Sequence, residues 1–569
     1  MTPDLVLTDA RVLTMDAETP RAEALALSGG TIAAVGSRRE IEALAGPRTD
    51  VIGCGGATVL PGFVESHLHL VLGGAELAHL QLRGVEDEAA LTRAFRAFAA
   101  ANPDRALLMA QGGYHTMIGR PLTRQLLDAI IPDRPIAITA MDHHTVWANT
   151  AALRQAGLLH GAAMPHGHEV VLGPDGTATG ELREFEAFAP VIAIGGEARL
   201  NLGIATGGEP SPWPDAAAQA IDRAKVLRGL RHCAAHGITS MVNMDGNLYT
   251  LRLLDGLRRE GNLLARVKVP FHFKPHMDLS ELARAEAMTA EYDDDWLSCR
   301  FVKMFMDGVI DSRTAFLLAD YADQPGWRSV PLFPPERFRA IATEIDRRGL
   351  QMAVHCVGDG AVRAVIDGYE AARRANGPRD SRHRIEHIEQ IDPADVPRLA
   401  ANAIVASLQP GHAPGAGDFP LHPWAGTVGR DRLRGAFLHR SLAEAGVRLA
   451  YASDWPVIGV SVIDGIRAAL NRAPYDGPGC RDERIGLMAT LHAYTAGGAW
   501  AAFAERLTGR LVPGMAADVA VLSGDIEATP PERIGTLSVA LTVAGGRITH
   551  RAQDAAAPAA APSPAPAGR

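Results

Sequence analysis

The feature that most restricts this 569-residue chain is an alternation that runs through its middle. Eight short apolar runs, "ATVLPGFVESH", "GITSMVNM", "ARVKVPFHF", "CRFVKMFMDG", "LQMAVHCVGD", "HRIEHIEQI", "AIVASLQPGH" and "VRLAYASDWPV", are separated by helical stretches such as "PPERFRAIATEIDRRGL" and "GDGAVRAVIDGYEAARRANG". Near-continuous apolar strands alternating with helices are what a parallel sheet covered by helices requires. Eight is the number that closes a (β/α)8 barrel, whose functional groups stand at the C-terminal ends of the strands. The fold class expected is therefore α/β, a TIM barrel with attachments.

The attachments lie at the ends and after the first strand. Residues 1–58 carry "DLVLTDARVLTMD" and a Gly29-Gly30 turn, and residues 495–550 carry "DVAVLSGD", "LSVALTVAGGRITHR" and a Gly545-Gly546 turn. Each piece is too small to complete a sheet alone, so the two are expected to join as one small β-sandwich domain. The barrel then spans 59–84 plus 215–494. Residues 85–214 are too many for one crossover and hold their own strand-like runs, "RALLMAQGGY" and "RPIAITAMDHH", so an inserted α/β lid domain is expected there. The Ala/Pro tract at 551–569 has too little to bury and is expected to be disordered.

Composition narrows the partners. A net charge of -9 with no basic cluster offers nothing to nucleic-acid phosphates. The five cysteines form no CxxC pair, which argues against a disulfide framework or a thiolate zinc site. No apolar run reaches the ~18 residues of a membrane span, and the N-terminus lacks a basic leader. A soluble cytoplasmic protein acting on a small molecule is expected, with a homodimer as its assembly.

The chemistry collects at the strand ends: His67 and His69 on the first, Lys303 on the fourth, His355 on the fifth, His387 on the sixth and Asp454 on the eighth. Taken alone, a histidine in an apolar strand is most simply a core imidazole, and Asp454 a turn cap. Alternate residues of a strand share a face, however, so the HxH spacing aims both imidazoles at one point. A lysine inside an apolar strand needs a partner. Four histidines and a carboxylate suit Zn2+ or another divalent metal, one ion or two.

This set in this order resembles the amidohydrolase superfamily. The wording of "LPGFVESHLHL", "DHHTVWANTAAL", "DGTATGELREFE", "VKMFMDGVIDSRTAFL", "ASLQPGH" and "PGMAADVAVLSGD" is similar to amidohydrolase family 3, the YtcJ-like branch that includes the N-substituted formamide deformylases. The resemblance implies that His67, His69 and Asp454 hold one metal and that His355 and His387 hold a second. It also implies that Lys303 is carboxylated and bridges the two; with one metal it stays unmodified. Asp454 would be the catalytic residue, taking a proton from a metal-activated water and returning it to the departing nitrogen. The reaction implied is hydrolysis of a non-peptide carbon-nitrogen bond, an N-substituted formamide or related amide. Deamination of a ring amidine is the alternative on the same barrel, and a non-catalytic scaffold a third. His144, beside Trp147 and Asn149 in the insertion, and Arg313, Gln409 and His412 in loops after the fourth and seventh strands are the candidates for substrate contact, with Asp307 or Asp311 as alternative ion-pair partners for Arg313.

Overall fold

The computed structural model describes residues 2–82, 84–141, 143–165, 167–417 and 419–552. The expected disordered tail lies outside them except for Arg551 and Ala552, and Arg551 ends a strand, Arg547–Arg551.

All eight apolar runs contain strands: Phe63–Leu68, Ile238–Asn243, Arg266–Lys268 with Phe271–His272, Phe301–Phe305, Gln351–Cys356, Arg384–His387, Val405–Leu408 and Leu449–Tyr451. Neighbours pair in parallel. They do not form one closed ladder. The first two and the front half of the third make one sheet with Leu297–Ser298, and the back half of the third begins a second sheet that runs through to Leu449–Tyr451. The break falls at Val269-Pro270, where proline has no N–H to give a ladder. At the other seam, between the eighth strand and the first, two bonds cross beyond the strand ends. The Asp454 N–H donates to the His67 carbonyl (2.9 Å) and the His69 N–H to the Trp455 carbonyl (2.7 Å).

The first apolar run serves two sheets. Thr58–Pro61 pairs with Val519–Leu522 and Arg11–Leu13, so it belongs with the terminal strands rather than with the parallel strand that starts at Phe63. Gly62 separates the two, and a Cβ there would meet Thr239 Oγ1 at 2.2 Å, so only glycine lets the backbone pass. The six-stranded terminal sheet draws on both ends of the chain, and a four-stranded sheet of Thr31–Gly36, Ala24–Ser28, Leu5–Thr8 and Asp50–Gly53 accompanies it. Leu7, Val12, Leu25, Leu27, Val59, Val519 and Val543 share one apolar cluster between them.

Residues 80–183 build a six-stranded mixed sheet. Helix Glu88–Ala101 puts Leu91 and Phe95 on one face with Ile136 and Ile138, while helices Thr150–Gln155 and Phe185–Ile194 cover the other with Leu153 and Phe188. Glu197 fastens this unit to the rest of the chain through Lys225 (2.9 Å), on helix Ala216–Ala234, and His79 (3.1 Å).

Burial opposes ionisation of Glu197, but His79 and Lys225 outweigh it and hold its pKa down at about 2. A depressed carboxylate contributes its stability in full above its ordinary value of 4.5 and loses it as pH falls toward about 2. Between about pH 5 and pH 2.5 the wild type is therefore expected to lose about 1 to 3 kcal/mol more stability than Glu197→Gln. Parallel thermal melts across that range measure the difference, and equal losses would refute the tether.

Candidate metal centre

The pleat of Phe63–Leu68 and the residue after it bring His67 and His69 to one side, 1% and 8% exposed. Asp454 arrives from the eighth strand with φ +60°, a left-handed conformation that aspartate tolerates better than most residues. Its Oδ1 stands 3.3 Å from His67 Nε2 and 3.4 Å from His69 Nε2. Its Oδ2 stands 3.8 Å from His387 Nδ1 and 3.9 Å from His412 Nε2. Two ligand sets result, His67-His69-Asp454 and His387-His412-Asp454, each with donor atoms within 4.8 Å of one another, and Asp454 is common to both.

The electrostatics fit a cation. Lys303 Nζ, His387 Nε2, His412 Nε2 and Asp454 Oδ1 are buried with no hydrogen-bond partner among the described residues, whereas buried polar atoms ordinarily have one. Burial, followed by the positive charge of Lys303, pushes His67 down to about 4, and burial takes His355 and His387 well below the usual imidazole range. These rings are neutral near pH 7, the form that ligates metal. Burial works against the Asp454 carboxylate, yet His67, His69 and His387 hold it well below the usual range. His69 is likewise penalised by burial but raised to about 9 by Asp245 and Asp454. Burial lowers Lys303 to about 8. Imidazoles and a carboxylate arranged this way suit Zn2+ and similar divalent ions.

A second layer aims the ligands. His67 Nδ1 lies 2.6 Å from Glu386 Oε2, and Arg384 grips both oxygens of Glu386 at 2.8 and 2.9 Å while donating to the Ser66 carbonyl and to Ser407 Oγ. His69 Nδ1 lies 3.0 Å from Asp245 Oδ1, whose other oxygen accepts the N–H groups of Val71 and Leu72. A carboxylate on Nδ1 leaves Nε2 facing inward, the arrangement common behind ligating histidines. Glu65, pushed up to about 8 by burial, accepts the Ser453 N–H at 2.7 Å and so links the first strand to the eighth.

The other predicted residues sort by position. His355 packs on His387 (ring centroids 4.5 Å) and its Nε2 is 3.1 Å from the Gly308 carbonyl, so it adjoins both ligand sets without being in either. Gln409, expected at the substrate, instead places its Oε1 2.9 Å from His387 Nδ1 and orients that ring. His412, also expected at the substrate, stands among the ligand atoms. Arg313 pairs with Asp323 at 2.5 Å, not with the carboxylate of Asp307 or Asp311; Asp307 accepts the N–H groups of Phe316, Val357 and Gly358. His144 is 2.8 Å from Glu184, and its ring is 6.4 Å from that of His355. Trp147 is buried in the core of the insertion and Asn149 caps helix Thr150–Gln155, so neither reaches the site. His144, Arg313 and His412 line a cavity of about 1580 Å³ that the metal set shares with the insertion.

Sequence reading passed over Arg384, Glu386, Asp245 and Glu65 as site residues. For Arg384, Glu386 and Glu65 the signal was present, since "RIEH" and "FVESH" set charges into otherwise apolar strands, where a charge must be paired; Asp245 lies beyond the end of its strand. Removing Arg384 leaves Glu386 buried without its cation. Arg384→Met is expected to destabilise the protein by about 3 to 5 kcal/mol, read from denaturant unfolding. A loss below about 1 kcal/mol would mean that Glu386 has other compensation.

Comparison with known proteins agrees with this geometry. The sequence model described as the amidohydrolase family matches residues 50–550. The chain is 29% identical to protein LONG AFTER FAR-RED 3 of Arabidopsis thaliana, over 91% of this chain and 87% of that one. It is 28% identical to the putative amidohydrolase YtcJ of Bacillus subtilis (95% and 98%), and 26% identical to the N-substituted formamide deformylase of Arthrobacter pascens (92% and 94%). Among solved structures, an uncharacterized metal-dependent hydrolase from Pyrococcus horikoshii shares the fold at a TM-score of 0.70 and 22% identity, covering 93% of this chain and 98% of the other. With the match running across strands, insertion and ligand set alike, the chain belongs to the amidohydrolase family.

Proposed function

We propose that this protein is a metal-dependent hydrolase that opens a non-peptide amide bond of a small molecule, releasing an amine and a carboxylate. The observation that carries the reading is Asp454, an anion that two histidine groups share. His67, His69 and Asp454 would hold a first Zn2+, and His387, with His355 or His412, a second. A carbamate on Lys303 would bridge two ions and would turn an uncompensated buried ammonium into an anion. With one ion, Lys303 remains a lysine. The two parallel sheets act in this reading as one (β/α)8 barrel, tied across its seam by the Asp454 and Trp455 backbone bonds, and the insertion serves as its lid.

When bound, the metal acidifies a water and polarises the amide carbonyl. Asp454 Oδ1, beside His67 Nε2 and His69 Nε2, would take a proton from the attacking water and deliver it to the departing nitrogen. Glu386 and Asp245 keep the two rings aimed throughout. Similarity to the formamide deformylase supports an N-substituted formamide as the first class to try.

The test is hydrolysis by protein of known metal content, read as amine release from N-substituted formamides and acyl amides and as ring opening of cyclic imides and lactones. Chelator-stripped protein is expected to lose activity and to regain it with added Zn2+. Asp454→Asn is expected to lower kcat by about 10² to 10⁴ with the circular dichroism unchanged. Full activity in stripped protein would sink the proposal.

A further inference from the structure

Lys274 follows the third barrel run in "FHFKPH" and lines the cavity beside the metal set. Its Nζ donates to the Ile204 carbonyl of helix Ala198–Thr206, in the insertion, and stands 4.9 Å from the centroid of the Phe305 ring. Lys303 Nζ is 4.8 Å from the same centroid, so the two cations are neighbours of one aromatic ring. Among the described residues no carboxylate lies within 4 Å of Lys274, although Glu186 acts on it from farther away. Two arginines on the wall have carboxylate partners, Arg183 with Glu181 and Glu169 and Arg313 with Asp323, whereas Arg105 bonds the neutral Asn102. Lys274 is half-buried on the cavity wall, and an ammonium held partly out of water is costly unless something opposes its charge. Burial, then the charge of Lys303, holds its pKa down at about 7, which reflects that cost.

The cavity that Lys274 lines also carries apolar side chains from the insertion. Leu107 comes from the insertion just before a central strand, Phe188 and Ile192 from helix Phe185–Ile194, and Leu200 and Ile204 from helix Ala198–Thr206, and all line the cavity. At about 1580 Å³ the cavity exceeds the ~300 to 1,000 Å³ that small ligands ordinarily fill.

We propose that Lys274 binds a carboxylate carried by the substrate, with the attached hydrocarbon laid against Leu107, Phe188, Ile192, Leu200 and Ile204. The substrate is then an amide that bears both an anionic group and an apolar chain, a refinement that rests on the amide-hydrolase reading. Its free carboxylate neutralises Lys274 while the amide meets the metal set in the same cavity. A short neutral formamide would leave both the cation and the apolar wall unmet.

The test is binding, so that it stands apart from turnover. Calorimetric titration of the zinc-loaded full chain uses 1-octanesulfonate, an anion that ligates metal poorly, and 1-octanol as its neutral match. The wild type is expected to bind the sulfonate at least tenfold more tightly than the alcohol. Lys274→Met and Lys274→Gln should abolish that preference while leaving the affinity for octanol unchanged, which shows that the pocket is intact, and Lys274→Arg should retain most of it. Equal sulfonate affinity in wild type and Lys274→Met overturns the proposal, as does a wild type that binds neither ligand or binds both alike. Loss of all amide hydrolysis with the sulfonate preference intact would instead overturn the hydrolase reading alone.

Discussion

A guanidinium and a carboxylate removed from water, Arg384 and Glu386, are the pair on which the strand ends depend. Neither charge is tolerable there alone, because the desolvation of each is offset only by the other and by further hydrogen bonds. Arg384 therefore reaches the Ser66 carbonyl and Ser407 while it holds Glu386, and Glu386 in turn fixes His67. One buried pair thus joins the first, sixth and seventh strands and sets the direction of a ligand ring. The same logic recurs at His69, where Asp245 spends one oxygen on the ring and the other on the backbone that follows it.

That network also explains how an interrupted ladder can present a coherent site. Backbone pairing fails at Pro270 and is absent between the strand pairs at the Asp454 seam, yet Glu65, Asp454 and Trp455 carry bonds across that seam next to the ligands. Side-chain and end-of-strand bonds take over where the ladder stops. The ligand atoms stand at these crossings, so the stability of the seam and the aim of the ligands are properties of the same contacts.

The insertion contributes walls more than chemistry. Its sheet is stabilised by its own apolar clusters, and its helices give the cavity hydrocarbon surface, with Glu197 and Lys274 among the residues that join it to the parallel sheets and their helices. Arg199 with Asp222 and His143 with Glu76 join the unit to the rest of the chain as well. Its His144 reaches the ligand neighbourhood, oriented by Glu184.

Local pattern was enough to reveal the strand count, the order of His67, His69, Lys303, His355, His387 and Asp454 along the strand ends, and the presence of imidazole and carboxylate groups that could hold a metal. These follow from the alternation of apolar and helical segments and from polar types stranded in apolar runs, both of which are written within a few residues of one another. What each ligand touches was not legible in this way. Asp245 meets His69 across 176 residues of chain, Glu386 meets His67 across 319, and Glu65 meets Ser453 across 388. Gln409 turned out to orient His387, His412 to join the ligand atoms and Arg313 to pair with Asp323, because these roles depend on which loop lies over which strand. Even the first apolar run, continuous in sequence, was divided between two sheets by the close approach of Thr239 to Gly62. The sequence by itself determined the residue types, their order and the strands that bear them, since these are local properties of the chain; the tertiary structure alone decided their partners, because charge pairing and close packing are settled between segments hundreds of residues apart.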